Sequence, residues 1–373
     1  MEHSRNGAVI DLSALEHNLK QVRNLLQPHT RIMGVVKADA YGHGLVPVSR
    51  ALKRAGVDGL GVAHFHEAME LRKNGLDLPV FILSGIQTRQ EAAAVVENNL
   101  NPVFFDLSVA ETIAEECKRL GKRASIHVKV DTGMGRLGVP HKDLVPFLER
   151  VQSFESLDVG GLLSHLSSAD DADRSFTETQ IRKFKQTIEK GRSLGLPLPL
   201  NSLANSAGVL AHRESHFDLV RPGIMLYGGL PSPDFESPVS LKPVMTFKGV
   251  VLQVRDMRAG VPISYSRTYH TRGNQRIAVT SAGYGDGLPR NLSNRGEVLV
   301  RGKKARIVGR VCMNLTMADV TDLSDVQPGD EVVFLGCQEG ECLTGDDVAR
   351  QAETISYEVF CSIGQRSTRN YVS

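Results

Sequence analysis

Long apolar runs are missing from this 373-residue chain. No stretch approaches the roughly 18 to 20 uninterrupted apolar residues that cross a bilayer, so no membrane span is expected. An excess of charge is missing too: 44 Lys and Arg stand against 42 Asp and Glu, a net +2. Nucleic acid and anionic membranes need clustered positive charge, so neither is an expected partner. Cysteine is sparse. The five, at positions 117, 312, 337, 342 and 361, are odd in number and form no C-x-x-C pair. This argues against a disulfide framework or a four-ligand zinc site, and the five are read as reduced thiols. No His/Cys constellation stands out, so no metal is expected. Residues 1–6 (MEHSRN) are polar with no apolar segment behind them, which makes the cytoplasm the expected compartment.

What is present is an ordinary globular composition, 41% hydrophobic and 23% charged, in a chain long enough for two domains. Between about 31 and 230, short runs rich in Val, Ile and Leu alternate with longer segments of helical spacing. The runs are RIMGVVKA (31–38), GLGVA (59–63), PVFILSG (79–85), NPVFFD (101–106), SIHVKVD (125–131), VGGLLSHL (159–166), LPLNSLA (198–204) and LVRPGIMLYG (219–228). Helix-like stretches such as HEAMELRKNG (66–75) and SVAETIAEECKRLG (108–121) lie between them and end on glycine, as helix C-caps do. Eight strand-then-helix units predict an α/β fold, a (β/α)8 TIM-type barrel, with an open doubly wound sheet as the alternative. Near 238 the texture changes to strands separated by Gly, Pro and Asp turns, so a β-rich C-terminal domain follows. The expected division is 1–238 and 239–373, across the linker-like segment 228–240, with a short helix over 346–357.

In a barrel the C-terminal ends of the strands carry the chemistry. The first run ends in VVKADAYGHG (35–44), which places Lys37 on that rim beside Tyr41, a histidine and glycines. A lone lysine there reads as a snorkelling surface group. In this company it reads as a carbonyl-condensing amine that forms a Schiff base. The fifth run leads through Lys129 into DTGMGRLG (131–138), which formally contains G-x-G-x-x-G. A dinucleotide fingerprint opens into a helix, whereas Pro140 follows here, so the segment is valued for Lys129 and the carboxylate-gripping fork of Arg136. The last three runs end in Ser164-His165, in ANSAG (204–208) and in VRPGIMLYG (220–228). Loops after strands seven and eight commonly bind phosphate, which singles out Ser206 against its plainer reading as a helix N-cap. The motifs around Tyr265, GYGDG (283–287) and GRVCMN (309–314) read, taken singly, as turns.

Taken in order, VVKADAYGHG, KVDTGMGRLG, ANSAG, VRPGIMLYG, GYGDG and GRVCMN closely resemble the alanine racemases, enzymes built on pyridoxal 5'-phosphate from a barrel and a β-domain. The resemblance implies an isomerase that interconverts L- and D-alanine and supplies D-alanine for peptidoglycan. It implies that Lys37 holds the cofactor, that Tyr41, Ser206, Gly223, Ile224 and Tyr357 surround its phosphate, and that Arg221 faces its pyridine nitrogen. Arg136 then lies by the phenolic oxygen and the substrate carboxylate, and Lys129 is the position that some members carbamylate. Tyr265 and Met313 come from a second subunit, so the expected assembly is a homodimer with shared sites. Racemisation needs acid/base groups on both faces of Cα, and the implied pair is Lys37 and Tyr265. A free phenol gives up its proton only near pH ~10. In the resemblance His165 contacts the tyrosine and leads to Arg221, whose charge favours the phenolate. Two positions depart from the family pattern. Asn314 replaces an aspartate, which bears on substrate breadth, and Ser202 replaces a histidine that would support Arg221. The alternatives are a broader racemase acting on serine or basic amino acids, a related decarboxylase or lyase, and a non-catalytic cofactor-binding protein. No decarboxylase-type cysteine motif is present, and the second domain with Tyr265 argues against a mere carrier.

Overall fold

The computed structural model describes residues 6–373. Arg31–Val35, Gly59–Val62, Val80–Ile82, Asn101–Phe104, Ala124–Asp131 and Leu157–Leu163 are parallel strands, each bonded to the next. The run LPLNSLA keeps only a bridge between Leu163 and Ser202. Its backbone still serves both neighbours, with Ser202 N–H donating to Leu162 O at 2.9 Å and Arg221 N–H to Ala204 O at 3.0 Å. Leu219–Val220 then pairs with Arg31 and Ile32, and the ring closes. That closure selects the barrel over the open sheet.

Helices cover the ring because their sequences present one apolar stripe and carry their own stops. Leu107–Leu120 buries Ala110, Ile113, Ala114 and Cys117 at helical spacing. Asp106 caps its first turn through Ser108 N–H, and Gly121 closes it in the left-handed conformation. Arg89–Glu97 opens on a capping box between Thr88 and Glu91.

The second half curls into a closed antiparallel ring of its own. Met245–Met257 is long enough to pair with Gln275–Ser281 along one stretch and with Glu331–Gln338 along another, and Glu297–Val300, Lys303–Ile307 and Leu315–Asp319 complete the circuit. The C-terminal helical region is two helices, Gly345–Ala352 and Ser356–Arg366, where one short helix was expected over 346–357. A strand the sequence reading passed over, Gly7–Asp11, precedes the barrel in the chain and yet lies in this second sheet. It runs antiparallel to Met245–Lys248 and parallel to Arg369–Val372.

The reading of five reduced thiols needs correction. Cys337 and Cys342 face each other across a hairpin and are joined as a disulfide, while Cys117, Cys312 and Cys361 are free. Strand register brings the pair opposite each other, which a count of cysteines and a search for C-x-x-C do not detect. Among the described residues no helix is long and apolar enough to cross a membrane.

Candidate active site

At the end of the first barrel strand the chain makes an unusual turn. Ala38, Asp39, Ala40 and Tyr41 all have φ between 53° and 55°, the left-handed region that costs an L-residue roughly 1–2 kcal/mol each. Outside bonds hold it there. Ala38 N–H donates to Glu67 at 2.7 Å, and Leu45 N–H donates to Asp39 at 2.6 Å. Gly42 continues the turn at φ 81°, and a Cβ on it would sit 2.4 Å from the Phe360 carbonyl oxygen. Lys37, at the head of this turn, projects into a cavity of about 390 Å³ at the barrel mouth. Burial pushes the pKa of its amine down and the Arg136 guanidinium adds to the effect, while Glu67 opposes it. A lysine so treated has a larger share of free amine, the form that condenses with carbonyls and takes protons.

The sequence-predicted rim residues converge on this cavity. Tyr41, Lys129, Arg136, His165, Ser206, Arg221, Gly223, Ile224 and Tyr357 all line it with Lys37. Arg221 is buried and held on several sides. Its guanidinium donates to the Ser164 carbonyl at 2.6 Å, to Ser202 Oγ at 2.5 Å and to His165 Nδ1 at 3.2 Å. Burial brings its pKa down to about 10, with Arg136 contributing, so it stays charged at neutral pH. Ser202 therefore takes up the support that a histidine was expected to give, and its own hydroxyl proton goes to the Leu219 carbonyl at 2.6 Å. Ser202→Ala is expected to cost about 1–3 kcal/mol, because it strips a partner from a buried charge and from a buried carbonyl. Urea unfolding would measure it, and a midpoint unchanged from the parent would contradict this role.

The bond from Arg221 uses up His165 Nδ1 as an acceptor, which assigns the ring proton to Nε2. Burial, then Arg221, Lys129, Arg136 and Lys37, push this imidazole well below its usual pKa. Lys129 is driven down by burial and by Arg221 and Arg136; its amine reaches the Ser164 carbonyl at 3.4 Å. His43 and His127 are also buried, and desolvation brings each to about 4. These three imidazoles are neutral when folded and gain a proton near pH ~6.5 when unfolded. Their contribution to stability is complete above that value and is lost as pH falls below ~6.5, down to about 4 for His43 and His127, with a slope approaching about 1.4 kcal/mol per pH unit for each. Unfolding free energies at pH 7 and pH 5 would test this; His127→Leu should flatten the difference.

The same cavity holds a cradle built from the segments after the seventh and eighth runs. Asn205, not Ser206, caps the helix Ser206–Ala211, and this leaves Ser206 Oγ free to accept Gly223 N–H at 2.9 Å. A Cβ on Gly223 would come within 2.4 Å of Tyr41 Oη, so only glycine lets the hydroxyl reach this backbone. Burial pushes the phenols of Tyr41 and Tyr357 well above their usual pKa, and both remain donors. The stretch after Gly138 is the short strand Val139–Pro140 and not a helix, which removes the dinucleotide reading. Three supporting residues escaped the sequence reading. Glu67 accepts the backbone N–H groups of Ala38, Ala63 and His64. Its place three residues into a helix, in a capping box, was the signal that could have found it. Thr132 bonds Ser164 beneath Arg221, and buried Gln180 donates to the His165 carbonyl at 3.0 Å. Neither has a sequence signature.

Residues 10–231 match the family model for the alanine racemase N-terminal domain and residues 244–371 the model for the C-terminal domain. The chain belongs to the alanine racemase family. An alanine racemase of Syntrophobacter fumaroxidans is 44% identical over 97% of this chain and 96% of its own length. The crystal structure of the alanine racemase from D-cycloserine-producing Streptomyces lavendulae superposes with a TM-score of 0.93 at 34% identity, covering 100% of this chain and 98% of that one. The alanine racemase of Bartonella henselae, solved with covalently bound pyridoxal phosphate, gives 0.89 at 33% identity over 99% and 100%.

Two residues singled out for this alanine racemase family member stand apart from the cavity of their own chain. Tyr265 and Met313 are 68% and 57% exposed, unusual values for large apolar side chains. They are carried on loops that the second ring ties together: Ser264 Oγ donates to the Arg310 carbonyl at 2.6 Å, and Gly285 N–H donates to the Met313 carbonyl at 2.7 Å. Asn314 turns to Asp286 at 3.3 Å.

Proposed function

We propose that this chain interconverts L- and D-alanine on pyridoxal 5'-phosphate held by Lys37. The observation that carries the reading is the charge of the cavity. Lys37, Lys129, Arg136 and Arg221 meet there, and none of the lining residues is a carboxylate. Two lysines and two arginines on a cavity lined by no carboxylate fit a ligand that brings its own anions, a phosphate and the carboxylate of an amino acid. Lys37 would hold the aldehyde carbon, Ser206, Gly223, Ile224, Tyr41 and Tyr357 the phosphate, and Arg221 the ring nitrogen. The bound cofactor supplies an electron-withdrawing ring that acidifies the substrate Cα–H.

The protein then has to move one proton across one carbon. Arg136, together with Met313 of a second copy, grips the carboxylate and fixes which bond faces the bases. Lys37 Nζ takes or returns the proton on one face, and Tyr265 of the second copy does so on the other. His165, neutral and protonated on Nε2, offers that phenolate a hydrogen bond, and Arg221 behind it supplies positive charge. Because a guanidinium does not readily give up its proton, Arg221 would face the ring nitrogen as a donor that keeps its own proton. A carbamylated Lys129 would add a negative partner for Arg136.

The working form in this reading is a homodimer with shared sites, acting in the cytoplasm to provide D-alanine for peptidoglycan. Incubation with L-alanine in deuterium oxide, following chirality and Cα exchange together and then repeating with serine and lysine, tests activity and breadth. Racemisation of alanine with deuterium uptake is expected. Lys37→Ala should erase the cofactor's absorption band, and a band that survives in that variant would remove Lys37 from its role.

A further inference from the structure

The turn that carries Lys37 is gripped from the other ring. Asp39 sits in the middle of the left-handed stretch, and its two carboxylate oxygens are shared out: one accepts Leu45 N–H at 2.6 Å, the other accepts the guanidinium of Arg369. The same guanidinium donates to the Gly42 carbonyl at 3.0 Å, so it spans the turn from its second residue to its exit. Arg369 opens the strand Arg369–Val372, whose pairing is with Gly7–Asp11 in the second sheet and not with any barrel strand. Glu67, on the barrel helix Phe65–Lys73, braces the opposite end by accepting Ala38 N–H.

We propose that Asp39 and Arg369 are positioning residues that lock the left-handed turn and thereby aim the Lys37 amine into the cavity. Residues other than glycine leave the left-handed region readily, and a single one reverting to the right-handed region would redirect the chain on either side of it. Lys37 is the residue immediately before the stretch. Its direction is therefore set by how completely the four following residues stay where the clamp holds them. An ion pair placed only to join two halves of a molecule needs one contact; this one addresses a side chain and a carbonyl of the same turn, both of which lie within five residues of the lysine. The inference rests on the reading of Lys37 as the cofactor lysine.

The test uses holoenzyme of Asp39→Asn, Arg369→Met, the double variant and Arg369→Lys. Each of the first two is expected to lower kcat by roughly ten- to a hundredfold, the scale of a small misplacement of a reacting group, with a much smaller change in KM. Each should also speed hydrogen exchange at the amides of residues 38–44 and speed removal of the cofactor from Lys37 by hydroxylamine. The double variant should be no worse than the more damaged single one, since both substitutions break the same pair, and Arg369→Lys should recover part of the loss. Additive losses, or losses that follow only the thermal midpoint while exchange over 38–44 stays at the parent rate, would overturn the clamp. Should Arg369→Met fail to fold, Asp39→Asn and Arg369→Lys carry the same exchange and hydroxylamine readouts. Lys37→Ala separates the two ideas: a cofactor band that survives it defeats the functional reading, whereas a band lost there but unmoved in the clamp variants defeats the clamp alone.

Discussion

Mixing two inactive variants, Lys37→Ala and Tyr265→Phe, restores about a quarter of the parent activity if the sites are shared between copies. The reasoning is combinatorial. When subunits exchange freely, half of the dimers contain one chain of each kind. In such a dimer one site joins the intact Lys37 of one chain to the intact Tyr265 of the other, while its second site lacks both. Half the dimers with half their sites working is a quarter. The exposure of Tyr265 and its absence from the cavity of its own chain motivate the experiment. Activity of the mixture, measured after subunit exchange and compared with each variant alone, is the readout. A mixture as inactive as its components, although mass spectrometry shows mixed dimers, would mean that each copy serves its own site.

Tyr265→Phe alone should divide the two directions of the reaction. Loss of one acid/base group costs on the order of 10²–10⁴ in racemisation. Lys37 is still present, so exchange of the Cα proton with deuterium oxide should continue from the one enantiomer whose hydrogen faces the lysine, with retention of configuration. The other enantiomer should neither exchange nor invert. Following both enantiomers by proton NMR distinguishes this from general damage, which would slow exchange in both. Equal residual exchange from the two would place the second base elsewhere. His165 bears on the same question, since its Nε2–H is the donor left over after Arg221 occupies Nδ1.

How much of this was legible in the sequence depends on whether the cause is local. The barrel strands were readable because burial on both faces writes continuous Val, Ile and Leu runs, and six of the eight became regular strands. LPLNSLA and Leu219–Val220 are shorter, and the chain beyond them presents Ser206 and Arg221 to the cavity. Glycine-ended helices were equally plain. The site was recognised through motifs that keep neighbours together, and their convergence on one rim follows from the parallel strands. What stayed hidden depends on distant partners. Nothing local in ADAY announces a left-handed turn, since Ala and Tyr do not favour it and its support comes from Glu67 and Arg369. Ser202 looked like a loss until the guanidinium of Arg221 was seen resting on its hydroxyl. The Cys337 and Cys342 pair needed the register of a hairpin.

The strand Gly7–Asp11 places a constraint on timing. During translation it is made ahead of the barrel, whereas its two neighbours, Met245–Lys248 and Arg369–Val372, are made only after the barrel is complete. The barrel can close while the chain is still growing, but this strand must wait, with its buried Ala8 and Ile10 exposed and its peptide groups unpaired. A nascent chain in that condition is open to pairing with another nascent chain on the same message. Emergence of Arg369–Val372 from the ribosome therefore ends a vulnerability that opened when Gly7–Asp11 emerged.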